Sequence, residues 1–127
     1  MKVWGLTEFD IEEAVTRVSE RYNGNVYIDR MSTVSPRSRC VQVHIRCYRS
    51  DAPGARSSAS GRRSIAASWY AYRDVMRELF DVGAKRILTG LYGKWDYRGA
   101  DDFEDRHEES KYVNVGSRMF PVAYGEL

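Results

Sequence analysis

A chain of 127 residues, 43% apolar and 13% aromatic, is long enough for one hydrophobic core and too short for two. Its formal charge of +2 excludes a polycation that coats nucleic acid by charge alone. With no apolar run near the ~18 residues that a bilayer span needs, and no signal-like apolar stretch at the N-terminus, the chain is expected in the cytoplasm without a membrane anchor. The charge is unevenly placed. Between Arg37 and Arg63 seven arginines (37, 39, 46, 49, 56, 62 and 63) face only Asp51, and between Asp96 and Glu109 seven acids face only Arg98 and Arg106.

Lys2 to Leu6 is a short apolar run that predicts a first strand. Thr7 or Asp10 then offers an N-cap with an acid three residues on, and Ile11, Ala14, Val15, Val18 and Tyr22 recur at helical spacing up to Asn23-Gly24. A glycine just past the last turn suits the left-handed cap that stops a helix. Val26 to Met31 and Arg39 to Tyr48 both alternate around the breaker Ser35-Pro36-Arg37-Ser38, which predicts a hairpin. In its second strand Val41, Val43, Ile45 and Cys47 share a buried face, while Gln42, His44, Arg46 and Tyr48 share a polar one. Cys40 and Cys47 would stand about 23 Å apart on that strand. They cannot bridge each other, which fits a reducing compartment.

Arg49 to Arg63 (RSDAPGARSSASGRR) is the one compositionally biased stretch, and a helix is predicted after it. Ile65, Trp69, Tyr72, Met76, Leu79 and Phe80 form its apolar face, with Arg63, Tyr70, Asp74, Arg77 and Asp81 opposite. Past Val82-Gly83, Lys85 to Tyr92 predicts a strand with Ile87, Thr89 and Leu91 on one side. Trp95 to Ala100 is expected as a loop, Asp101 to His107 as a short helix, and Tyr112 to Val115 as a last strand. The order β-α-β-β-α-β predicts a single α+β domain over residues 1–127, a two-layer ferredoxin-like (split βαβ) sandwich. Residues 1–92 form its core, an antiparallel sheet with two helices on one face, and 93–127 an appendage with a short helix and strand. The other face would carry Tyr27, Asp29, Gln42, His44, Arg46, Tyr48 and Arg86 or Tyr92.

The Arg/Ser/Gly segment reads as a place to hold an anion: small residues admit close backbone approach, arginine forks match phosphate oxygens, and a helix start adds partial positive charge. Arg46, Tyr48, Arg49, Arg56, Arg62, Arg63 and His44 are the candidate residues for binding an anion or nucleic acid. The segment lacks the Lys-Ser/Thr ending of a P-loop, so nucleotide hydrolysis is not expected. Only Cys40 and His44 could converge on a metal, fewer than zinc requires, and the acidic stretch lacks the rhythm of a calcium loop. No catalytic residue, metal or other cofactor is predicted, and an enzymatic role survives only in the chance that His44 and the arginines serve phosphate-ester chemistry.

The element order, with the lead-in Ser35-Pro36-Arg37-Ser38-Arg39-Cys40, resembles RNA-recognition modules, which stack bases on strand aromatics. Val41 and Val43 stand where those aromatics belong, so binding would use a Tyr, His and Arg face instead. Gly5-Leu6-Thr7, Ser60-Gly61-Arg62-Arg63, Trp69, Arg73-Asp74, Asp102-Phe103, Asn114-Val115-Gly116-Ser117 and Gly125-Glu126-Leu127 together resemble small proteins of unknown function encoded by actinobacterial bacteriophages. That resemblance spans nearly the whole chain and implies action in a host cytoplasm. The expected function is a non-enzymatic protein that engages an anionic partner, nucleic acid first. The alternative is a protein-interaction module that meets an acidic host protein, or self-assembles by matching its basic and acidic segments.

Overall fold

A computed structural model of the chain describes residues 1–47, 58–90, 94–115 and 118–121, with side chains described for 1–46, 69–90 and 94–110. In chain order the elements are β1 (Lys2–Trp4), α1 (Glu8–Arg21), β2 (Val26–Ser35), β3 (Cys40–Cys47), α2 (Ser58–Asp81), β4 (Arg86–Thr89), β5 (Trp95–Tyr97), α3 (Ala100–Arg106), a 3₁₀ turn (His107–Lys111), β6 (Tyr112–Val115) and β7 (Arg118–Pro121). Five strands form one antiparallel sheet in the order β2-β3-β1-β4-β5, and β6 and β7 form a separate two-stranded ladder.

Thr7 starts α1 with a reciprocal cap: its hydroxyl accepts from the Asp10 N–H while the Asp10 carboxylate accepts from the Thr7 N–H. The helix ends where Asn23 and Gly24 take positive φ, and the Gly24 N–H reaches back to the Ser19 carbonyl. Ile11, Ala14, Val15 and Val18 give α1 its buried stripe. Trp69, Tyr72, Val75, Met76 and Leu79 do the same for α2 and are essentially inaccessible. Both stripes press on Val3, Val41, Val43, Ile45 and Ile87 of the sheet to make one core. Side by side, the helices are joined by Arg17 to Glu78 at 2.7 Å and by the Tyr22 hydroxyl donating to Asp74. Tyr72 threads its hydroxyl to the Ile45 carbonyl at 3.0 Å, fixing α2 over β3.

Three expectations need correction. Residues 95–97, expected within a loop, form β5, a fifth strand on β4, because Trp95 and Tyr97 alternate with Asp96 and have core to enter. The helix expected after Arg63 already runs from Ser58, through Gly61, so the last six residues of the Arg/Ser/Gly segment are helical. The strand at 112–115 does not end the chain's regular structure, since β7 returns against it. Phe103 meets Phe80 of the helical layer at 5.5 Å between ring centroids and Tyr97 of β5 at 5.4 Å, packing α3 against both. Just outside that contact, Arg77 grips Glu104 with two hydrogen bonds of 2.6 and 3.0 Å.

β2 lies at one sheet edge and is not straight. Its register against β3 shifts between Ile28 and Arg30 and again between Thr33 and Ser35. The first shift leaves Asp29 beside Arg30, where it reaches Arg46 on the neighbouring strand at 3.0 Å.

Candidate functional site

β3 explains why one face of the sheet is open. Val41, Val43 and Ile45 are 2%, 0% and 2% exposed under the helices, whereas Gln42 and His44 are half-buried and the Arg46 side chain is 61% exposed. Strand pairing extends that alternation into rows across the sheet. One row runs Ser32, Gln42, Lys2, Leu88, Asp96 through all five strands; its neighbour runs Cys40, Trp4, Arg86. On the other side Arg30 stands opposite His44 and Tyr27 opposite Arg46. Arg30, Met31, Ser32, Gln42 and His44 line a shallow concavity of about 430 Å³.

Among the described residues, this face carries the cations Lys2, Arg30, Arg46 and Arg86, with Arg98 beside them on Asp96, and the carboxylates Asp29 and Asp96. Asp29 receives Arg46 at 3.0 Å and Arg30 at 3.9 Å. The hydrogen bond that Arg46 donates to Asp29, helped by the carboxylate's charge, raises the affinity of Arg46 for its proton, so it stays cationic throughout the physiological range. Asp96 receives Nε and Nη2 of Arg86 at 2.8 and 2.9 Å, and Arg98 at 3.2 Å. The Arg86 hydrogen bonds hold the Asp96 carboxyl below its usual range. Arg86 also lies with Cζ 4.4 Å from the Trp4 ring centroid. The face therefore combines aromatic surface with a surplus of positive charge.

Of the residues singled out in the sequence, His44 and Arg46 lie here, two residues apart. Tyr48, Arg49 and Arg56 lie outside the described residues. Arg62 and Arg63 are the fifth and sixth residues of α2, beyond the four N–H groups that a helix start leaves free, so the backbone does not put them at the helix-start position expected of them. The helix that carries them covers the opposite face of the sheet, through Tyr72 and Met76. Val41 and Val43, which occupy the positions of the base-stacking aromatics in the RNA-recognition comparison, point into the core and cannot stack on a ligand.

The acidic segment has its own answers. Asp96 is held by Arg86 and Arg98, Asp102 by Arg106 at 2.6 Å, Glu104 by Arg77 at 2.6 Å, and Glu109 approaches Arg106 at 3.8 Å. These partners come from α2, β4 and the segment itself. Sequence reasoning missed Lys2, Trp4, Arg30 and Asp96 as members of the face, whereas Arg86, expected there as the alternative to Tyr92, lies on it. The available signal was parity: once Val3 is assigned to the core, Lys2 and Trp4 must point the other way.

No group of three His, Cys, Asp or Glu side chains converges on a metal position among the described residues. Nor is any helix among them long and apolar enough to cross a membrane. Compared with protein-family models, with curated proteins and with solved structures, the chain matches none.

Proposed function

We propose that this protein is a non-enzymatic binding module that takes nucleic acid on the open face of its sheet. The observation that carries the reading is the composition of that face: Lys2, Arg30, Arg46 and Arg86 against Asp29 and Asp96, with Trp4, Tyr27 and His44 among them. Cations supply phosphate contacts and flat side chains supply stacking surface, the two components of sequence-tolerant nucleic-acid binding. The strand order β4-β1-β3-β2, with helices after β1 and β3, supports reading the first 90 residues as a split βαβ sandwich whose fourth strand has gained a neighbour. A bacteriophage origin, suggested by sequence resemblance, would place the partner in a host cytoplasm. Self-assembly through the two charged segments is the weaker reading, because Asp96, Asp102 and Glu104 already have arginine partners within the chain.

Fluorescence anisotropy with labelled 20-nucleotide DNA and RNA across salt tests the proposal. Binding should weaken as salt rises, with a log–log slope near −3 for about four phosphate contacts to a single strand. Arg46→Ala and Lys2→Ala should each weaken binding and reduce that slope by roughly 0.7. Absence of binding to any nucleic acid at low salt would end the idea, and salt-sensitive binding to an acidic protein alone would replace it.

A further inference from the structure

We propose that the nucleic acid is single-stranded and that the Arg86 guanidinium, laid over Trp4 and pinned by Asp96, is the plane on which one of its bases stacks. This rests on the nucleic-acid reading of the same face. Arg86 is held from two directions. Trp4, from the strand beside it, packs at 4.4 Å, and both oxygens of Asp96 bind its fork at 2.8 and 2.9 Å. Arg98 restrains Asp96 in turn at 3.2 Å. Arg30 and Arg46, by contrast, are 74% and 61% exposed at the side chain. Arg86 keeps 31% of its side chain accessible while its orientation is fixed.

A planar cation whose rotamer is already set loses little entropy when a flat ligand lands on it. Bases offer their flat sides only when unpaired, since a duplex presents edges in its grooves and phosphates elsewhere. Lys2, in the strand beside Arg86, and Arg46, one strand further, are then placed to meet successive stretches of the backbone on one side of the stacked base. Three strand spacings, about 14 Å, separate Arg86 on β4 from Arg30 on β2. The charges thus line a track across the strands with the platform near one end.

Asp96→Asn supplies the deciding test. It removes a negative charge from a face that binds an anion, so electrostatics alone predicts tighter binding; loss of the pinned platform predicts weaker binding. Anisotropy with a 15-nucleotide single strand and a hairpin duplex of the same composition should show the single strand preferred by about tenfold or more. Asp96→Asn and Arg86→Lys should each lose about fivefold or more of single-strand affinity, and Arg86→Lys should do so with an unchanged salt slope because its charge is kept. Tryptophan quenching gives an independent readout: Trp69 and Trp95 are 0% and 6% exposed, so quenching on binding reports Trp4, and Trp4→Phe should abolish it. Thermal unfolding of each variant confirms that it is folded, and if Asp96→Asn is not, Arg86→Lys decides. Equal or tighter binding by Asp96→Asn, or equal affinity for duplex, overturns the platform while Lys2→Ala and Arg46→Ala still support the parent reading. No binding of either probe by the unaltered protein overturns both.

Discussion

The two faces of β3 differ in how much of their chemistry the protein answers for itself. Under the helices, Val41, Val43 and Ile45 are closed off by α1 and α2, and even the Ile45 carbonyl has a partner in Tyr72. One residue further along in each case, Gln42, His44 and Arg46 look out over a row of cations that two aspartates only partly balance. The first face sets stability; the second is free to be changed for function. Neighbouring residues on one strand therefore belong to separate problems, and substitutions should separate them.

The largest contrast is expected from Ile45→Ala, which leaves a cavity in the core and should cost about 2 to 5 kcal/mol in chemical denaturation. A loss below ~1 kcal/mol would mean that the helical layer is looser than the packing of Ile45 implies. Gly90→Ala should cost about 1 to 3 kcal/mol from its backbone alone, because Gly90 sits at φ +85°. An added Cβ would also lie 2.1 Å from Cε3 of buried Trp95, which β5 cannot move away from without losing its seat. An unchanged melting temperature would show that β5 contributes nothing to the cooperative unit.

A smaller, pH-dependent effect belongs to the appendage. Arg106 binds Asp102 through Nε and Nη2 and, with the Arg98 N–H, lowers its carboxyl from 3.8 to about 2. The unfolded chain takes up the proton first as pH drops. The stabilisation is therefore complete above pH ~4 and disappears as pH falls toward 2. Denaturation between pH 5 and pH 2.5 should show a shallower decline for Arg106→Gln than for the unaltered protein; parallel curves would remove Asp102 from the acid response. Smallest of all, Gln42→Ala should change stability by no more than ~0.5 kcal/mol, so any effect it has on binding can be read without correction.

The sequence made the orientation of β3 legible because eight residues alternate long enough for period two to be seen. It also showed the caps of α1 and the apolar stripe of α2, both local signals. What it hid was short or non-local. Three residues of β1 and three of β5 cannot display a period, so no face was assigned to Trp4 and Trp95 to Tyr97 looked like a loop. Arg86 and Asp96 lie ten residues apart in sequence and meet only because β4 and β5 pair. Gly61 masked the early start of α2, since a glycine costs a helix interior about 1 kcal/mol yet does not stop one among Ala, Ser and Arg neighbours. The part of the candidate site on β2 and β3, Tyr27, Asp29, Gln42, His44 and Arg46, was thus visible, together with Arg86 as an alternative to Tyr92, and the rest depended on strand pairing.

The two kinks in β2 also bear on what the protein avoids. An outer strand of ten residues would ordinarily be a template on which other chains could lengthen the sheet. Here the regular stretches are cut to Val26 to Ile28 and Arg30 to Thr33, with charged Asp29 and Arg30 at the break. An incoming strand would have to carry matching bulges to follow them. The edge that places Asp29 next to Arg46 thereby also discourages runaway stacking of copies at high concentration.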